Sequence, residues 1–190
     1  MINDLDDTLK ELLIQKVPID LSAIDIKFEM PTKEWANNVS QSKPTVNLFL
    51  YDIRENHELR SNEHYLSRTG GMGSESRAPV RVDMTYLITA WASVVSDEHK
   101  LLGNILTTLL RYPIIPTDIL KGVMMSQTLP IPAWIAQPER TPNAWDFWSS
   151  LDGRLKAGIS YVVTVAIEPY PAEEIGLVTE KIITVKNTIG

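Results

Sequence analysis

Two of the chain's three histidines lie in the stretch RENHELRSNEHY, from Arg54 to Tyr65, each next to a glutamate. His57-Glu58 opens like a zinc-protease motif, which needs a second histidine four residues later, so that both imidazoles share one helical face and one metal. Here the second is His64, seven residues on. On a helix that is the same face two turns away, roughly 10 Å along the axis. Two ligands of one zinc each sit only about 2 Å from it. The spacing therefore predicts a solvated polar segment and no metal.

Other chemical signals are equally incomplete. GGMGSES has Ser76 where a dinucleotide loop needs its third glycine, and no lysine follows as in a phosphate-binding P-loop. Asp97, Glu98 and His99 are consecutive, so on a helix they point in different directions. No G-x-S-x-G elbow occurs. The chain has no cysteine, which excludes thiol catalysis and disulfides. No catalytic residue and no cofactor is expected. Two further readings stay open. One is an enzyme whose site is assembled from distant residues. The other is a carbohydrate- or ligand-binding module using Trp134, Trp145 and Trp148 in the Trp-rich 134–148 segment, against which stands plain packing of those rings on the sheet.

The elements that carry these residues follow from periodicity. Residues 2–16 form an amphipathic helix, with Ile2, Leu5, Leu9, Leu12 and Leu13 on one face, acids in the first turn and Pro18 as the stop. AIDIKFEM alternates as a half-buried strand. PTKEWANNV has a helix-start flavour at Thr32 but is short. PTVNLFLYDI is apolar on both faces, as in a covered sheet. Residues from about 55 to 78 form an extended polar loop, long enough to have a role of its own. PVRVDMTYLITAWAS is a strand of about thirteen residues that must bend or project beyond its sheet.

SDEHKLLGNILTTLLRY is the clearest helix, with Ser96 as N-cap and a stripe of Leu102, Ile105, Leu106 and Leu109, widened by Leu101 and Leu110. PTDILKG gives one more turn, closed by Gly122, and VMMSQTL a short strand. TPNAWDFWSSLDG forms a short helix. KAGISYVVTVAIEPY and LVTEKIITVKN are two last strands, separated by a turn near Pro171 and Gly176. The order predicts a single α+β domain over residues 1–190, a mixed or antiparallel sheet flanked by helices.

Composition narrows the class. Hydrophobic residues make up 44% and charged residues 22% of 190, an ordinary soluble balance. A net charge of −6 argues against nucleic acid as a partner. The acidic N-terminus is unlike a signal peptide, and YLITAWASVV is half the length of a membrane span. Synthesis and assembly in the cytoplasm are expected.

Three stretches together are distinctive: PTVNLFLYDIRENHELR, VRVDMTYLITAWA and DEHKLLGNILTTLLRYPIIP. With the opening DLDDTLKELL, they resemble the tube-cap, or tail-terminator, proteins of extracellular contractile injection systems of the antifeeding-prophage type. The resemblance covers roughly residues 4–185, the N-terminal domain of a family whose members often carry an additional C-terminal part. It implies a tail-terminator-like fold and a structural, non-enzymatic role. The expected form is a homo-hexameric ring on the distal end of the inner tube, contacting tube and sheath, within a particle released from the cell or anchored by other components. The polar stretch then faces neighbours. The subunit or tube interface residues it implies are Arg54, His57, Arg60, His64, Tyr65, Arg68 and Arg77.

Overall fold

The computed structural model describes residues 1–18, 23–39, 43–69, 72–137, 148–149 and 155–176. Its core is a five-stranded mixed sheet in the order β1-β2-β5-β7-β6. The strands are β1 (Asp25–Lys27), β2 (Thr45–Glu55), β5 (Val80–Trp91), β6 (Ala133–Ile135) and β7 (Gly158–Ile167). β1 runs parallel to β2, and the other pairs are antiparallel. A second sheet, of β3 (His64–Thr69), β4 (Met72–Arg77) and β8 (Glu173–Gly176) in that order, stands outside this core. The α+β expectation holds.

β5 is long because it is central. β2 pairs with it over 82–91 and β7 over 80–89, so of the two expected uses of its length, bending or projecting, projection is ruled out. Its even residues Met84, Tyr86 and Ile88 join Val46, Leu48, Tyr161, Val163 and Val165 on one buried face. Helix α1 (Ile2–Lys16) lays Leu5, Leu9, Leu12 and Leu13 on that face. Each such leucine contributes about 2 kcal/mol of hydrophobic transfer. α1 ends at Val17, whose extended backbone suits the Pro18 that follows. Tyr86 donates to Asp6 Oδ1 at 2.7 Å, and the Thr8 hydroxyl accepts from the Lys121 N–H at 3.0 Å, which fixes α1 to the sheet and to the 3₁₀ turns.

Helix α3 (Val95–Leu109) buries Leu101, Ile105 and Leu109, with Leu102 and Leu106 half-buried against the same core. Leu110 is exposed, so the stripe is narrower than read. Val94, not Ser96, is the N-cap. The Val94 carbonyl accepts from the Asp97 and Glu98 N–H groups at 3.1 and 3.4 Å, and the Glu98 carboxylate accepts from the Ala92 N–H just before the helix at 3.1 Å.

Two strands differ from expectation for local reasons. The 23–30 alternation yields only three paired residues, because the Asn47 amide takes both backbone groups of Glu29. VMMSQTL forms a 3₁₀ turn (Gly122–Ser126), not a strand. Met124 is buried and Gln127 half-buried, while the residues between them are exposed, a period of three and not two. Gly122 adopts φ +50, which favours glycine, and a Cβ there would collide with the Asp4 carboxylate.

The opposite face of the sheet carries a smaller cluster, Val39, Leu87, Trp91 and Trp148, with Trp35 from α2 (Lys33–Val39) against it. Trp35 and Trp148 both meet Trp91 edge-on, at 5.3 and 6.3 Å between ring centroids. The helix expected over 141–152 lies largely outside the described residues, as do Trp145 and the strand LVTEKIITVKN. No helix among the described residues is long and apolar enough to cross a membrane.

Candidate assembly surface

The segment at about 55–78, expected to be a loop, is for the most part a β-hairpin. β3 (His64–Thr69) and β4 (Met72–Arg77) pair without a register shift from His64–Arg77 to Thr69–Met72. Only residues 70 and 71, both glycine, join them. β8 (Glu173–Gly176) adds a third strand beside β4. Two strands alone are marginal in water, and the third gives this arm its persistence.

The arm grows out of the long β2-β5 ladder. A bulge at Tyr51 shifts the register between Leu50 and Asp52. Beyond it, Asp52 and Arg54 lie on the face of Thr85 and Asp83, while Ile53 returns to the Met84 side. At the root, the Asn56 N–H extends the ladder to Arg81 O at 2.8 Å. The Asn56 amide donates to both carboxylate oxygens of Asp83, at 3.0 and 3.1 Å, and accepts from the Leu59 N–H at 3.0 Å. Thr164 on β7 also donates to Asp83. Asn56 is only 4% exposed and turns the chain from core to arm. The hairpin then closes where the Ala78 N–H donates to Glu63 O at 2.9 Å.

The residues expected at the interface are partly gathered here. Arg60, His64 and Arg77 line one cleft of about 280 Å³ with Glu55, Glu63 and Tyr170. His64 hydrogen-bonds Glu75 through Nδ1, which must carry the proton because a carboxylate only accepts. Arg77 lies 4.8 Å over the Tyr170 ring, and Arg60 pairs with Glu55 at 3.3 Å. Arg54 is outside the cleft and pairs with Asp52 at 2.6 Å. His57 is exposed and also outside it. Tyr65 lies on the other face of β3 from His64 and donates to Glu63 at 3.4 Å. Arg68 lies within β3, opposite Gly73. Asn56, Glu75, Tyr170 and Glu173 were not anticipated. Tyr170 and Glu173 are remote from the hairpin in sequence, and no local pattern signals them.

The surface is open and mixed in character. Leu66 is 64% and Tyr65 52% exposed on a strand at the edge of its sheet. Among the described residues, no three His, Asp or Glu side chains are grouped to hold a metal. The carbohydrate-platform reading has nothing in its favour, since Trp148 is 3% exposed and packed on Trp91.

A mixed sheet with helices packed on it gives the chain an α+β fold that matches tail-terminator structures. Aligned structures make this specific. The chain superimposes on the sheath/tube terminator, in its extended state, of an extracellular contractile injection system, PVC, with a TM-score of 0.74 and 25% identity. That alignment covers 100% of this chain and 64% of the other. The tube-terminating cap of the anti-feeding prophage aligns with a TM-score of 0.70 and 25% identity, over 97% of this chain and 61% of that one. The chain thus spans less than two thirds of each of these proteins. No curated protein matches it significantly by sequence. Residues 4–180 match the Pvc16 N-terminal domain, and the chain belongs to that family.

Proposed function

We propose that the chain is a structural, non-catalytic cap. It forms a closed ring, of six copies, on the distal end of the inner tube of a contractile injection system, ends tube growth there and engages the last layer of sheath. The observation that carries this reading is the likeness along the whole chain to two terminators of such particles. The arm supports it, because an open sheet with Tyr65, Leu66 and Tyr170 exposed is a means of joining other chains. Particles should be prepared with residues 64–77 replaced by a two-residue turn, which the Glu63–Ala78 hydrogen bond leaves room to close. Such particles should lack caps or have tubes of uncontrolled length, while the variant chain keeps its melting temperature within a few degrees. Tubes of uniform length, together with a wild-type chain that stays monomeric in native mass spectra, would overturn the proposal.

A further inference from the structure

The two outer strands of the arm differ in charge. β3 reads HYLSRT, with a histidine and an arginine and no acid. β8 reads EEIG, with two glutamates and no base. Among the described residues both are edges, in the order β3-β4-β8. Folded domains blunt their edges with very short strands, lysine, proline or bulges. β1 and β6 follow that rule at three residues each. The Gln127 amide does the same for β7 by bonding both backbone groups of Ala166, at 2.8 and 2.9 Å. β3 has six residues, no lysine, no proline and no register shift, and it exposes Leu66.

A second feature concerns Glu173. It pairs directly across the ladder with Glu75, so two carboxylates share one face. Like charges directly opposite are unfavourable in a sheet. Glu75 already engages His64, and Glu173 adds a second acid to the cleft that His64 and Arg77 line.

We infer that the basic edge strand β3 of one copy pairs with the acidic edge strand β8 of the next, joining the arms into a continuous sheet around the ring. The occupant of each edge is a second copy of this chain, and the inference rests on the ring reading above. Charge selects this pairing. β3 against β3 would oppose Arg68 to another basic strand, and β8 against β8 would set four glutamates together. Unlike edges make a heterologous contact, the kind that closes into rings. Strand direction agrees, since β3 and β8 are each antiparallel to β4 and so run parallel. A neighbour brought in by rotation about an axis along the strands keeps that direction.

Because the natural chain has no cysteine, disulfide trapping can test the contact. Leu66 and Glu173 both flank Glu75 across the ladder. Their Cα atoms are therefore about 10 Å apart, two strand spacings. A disulfide spans at most about 7 Å, so the pair cannot close within one chain. Cysteines are placed at Leu66 or Ser67 together with Glu173 or Glu174, four pairs that sample the register, and the full chain is oxidised. At least one pair should give a covalent ladder up to the ring size, and each single variant no ladder. Intact rings in native mass spectra without a ladder from any pair would overturn the edge pairing and leave the ring reading standing. Efficient dimers from a β3 cysteine alone would overturn it in favour of like-with-like pairing. A chain with no rings at all would overturn both. A Glu173→Lys Glu174→Lys variant separates assembly from folding. It removes the carboxylate pair inside the arm but brings a second cation beside Arg77, so its melting temperature should hold within a few degrees while ring formation weakens about tenfold or more at low salt. Rings as stable as wild type would count against charge as the selector.

Discussion

Replacing Asn56 with alanine should loosen the root of the arm by a predictable amount. The side chain makes two bonds to the Asp83 carboxylate and one to the Leu59 N–H, and it is buried. A bond to a charged group contributes about 1.5–3 kcal/mol and a neutral one about 0.5–1.5. Asp83 keeps its bond from Thr164, and it is half-buried, so water recovers part of the loss. The expected cost of Asn56→Ala is about 2–3 kcal/mol. For a chain of this size that lowers the melting temperature by about 5–10 °C. Asn56→Asp should cost more at pH 8, since it sets a second carboxylate against Asp83. That pair would hold a proton more tightly in the folded state than either acid does unfolded, where the pKa is about 3.9. The stability linked to the proton is complete below that unfolded value and is lost as pH rises through the folded one. The gap between Asn56→Asp and Asn56→Ala should therefore narrow on acidification from pH 8 to 5. Chemical denaturation followed by circular dichroism measures all three proteins. An alanine variant within about 0.5 kcal/mol of wild type, inside the range of an ordinary surface change, would refute the reasoning.

Ile105→Ala should cost about 2–5 kcal/mol, because Ile105 is wholly buried, and Leu106→Ala distinctly less, by the same denaturation assay. Gly122→Ala should cost more than about 1 kcal/mol, since φ +50 and the Asp4 carboxylate both oppose a Cβ; a neutral result would show that the turn rearranges freely. Burial raises the Asp6 carboxyl above its ordinary range, with the Tyr86 hydroxyl opposing and Asp7 adding to the rise. A raised folded pKa contributes stability that is complete below the unfolded value and lost as pH rises, so wild type should lose stability relative to Asp6→Asn between pH 4 and 7, and a flat difference would contradict this.

Periodicity made the core legible and the arm illegible. α1 and α3 repeat leucines at three and four, and β2, β5 and β7 are apolar enough to name themselves. The hairpin HYLSRT-GG-MGSESR buries too little to alternate, so hydrophobic pattern reads it as loop. Its one local signal is the Gly-Gly pair, a two-residue hairpin connection that competes poorly with the surrounding polarity. Of the seven expected interface residues, Arg60, His64 and Arg77 share a cleft because they flank one hairpin root, a proximity that sequence distance partly conveys. Tyr170 and Glu173 enter through the β4-β8 pairing, which depends on long-range topology. The bulge at Tyr51 is likewise silent in the sequence, since nothing in LFLYDIRE marks the residue that is skipped.

The hydrogen bond between Ala78 and Glu63 brings the two ends of the hairpin side by side before the strands begin. What lies between them is a cassette. Its length, charge and apolar content can change without moving a residue of the five-stranded core, since the ladder is already complete at Asn56 and Arg81. A chimera that carries a different hairpin between Glu63 and Ala78 should keep the same core beneath it.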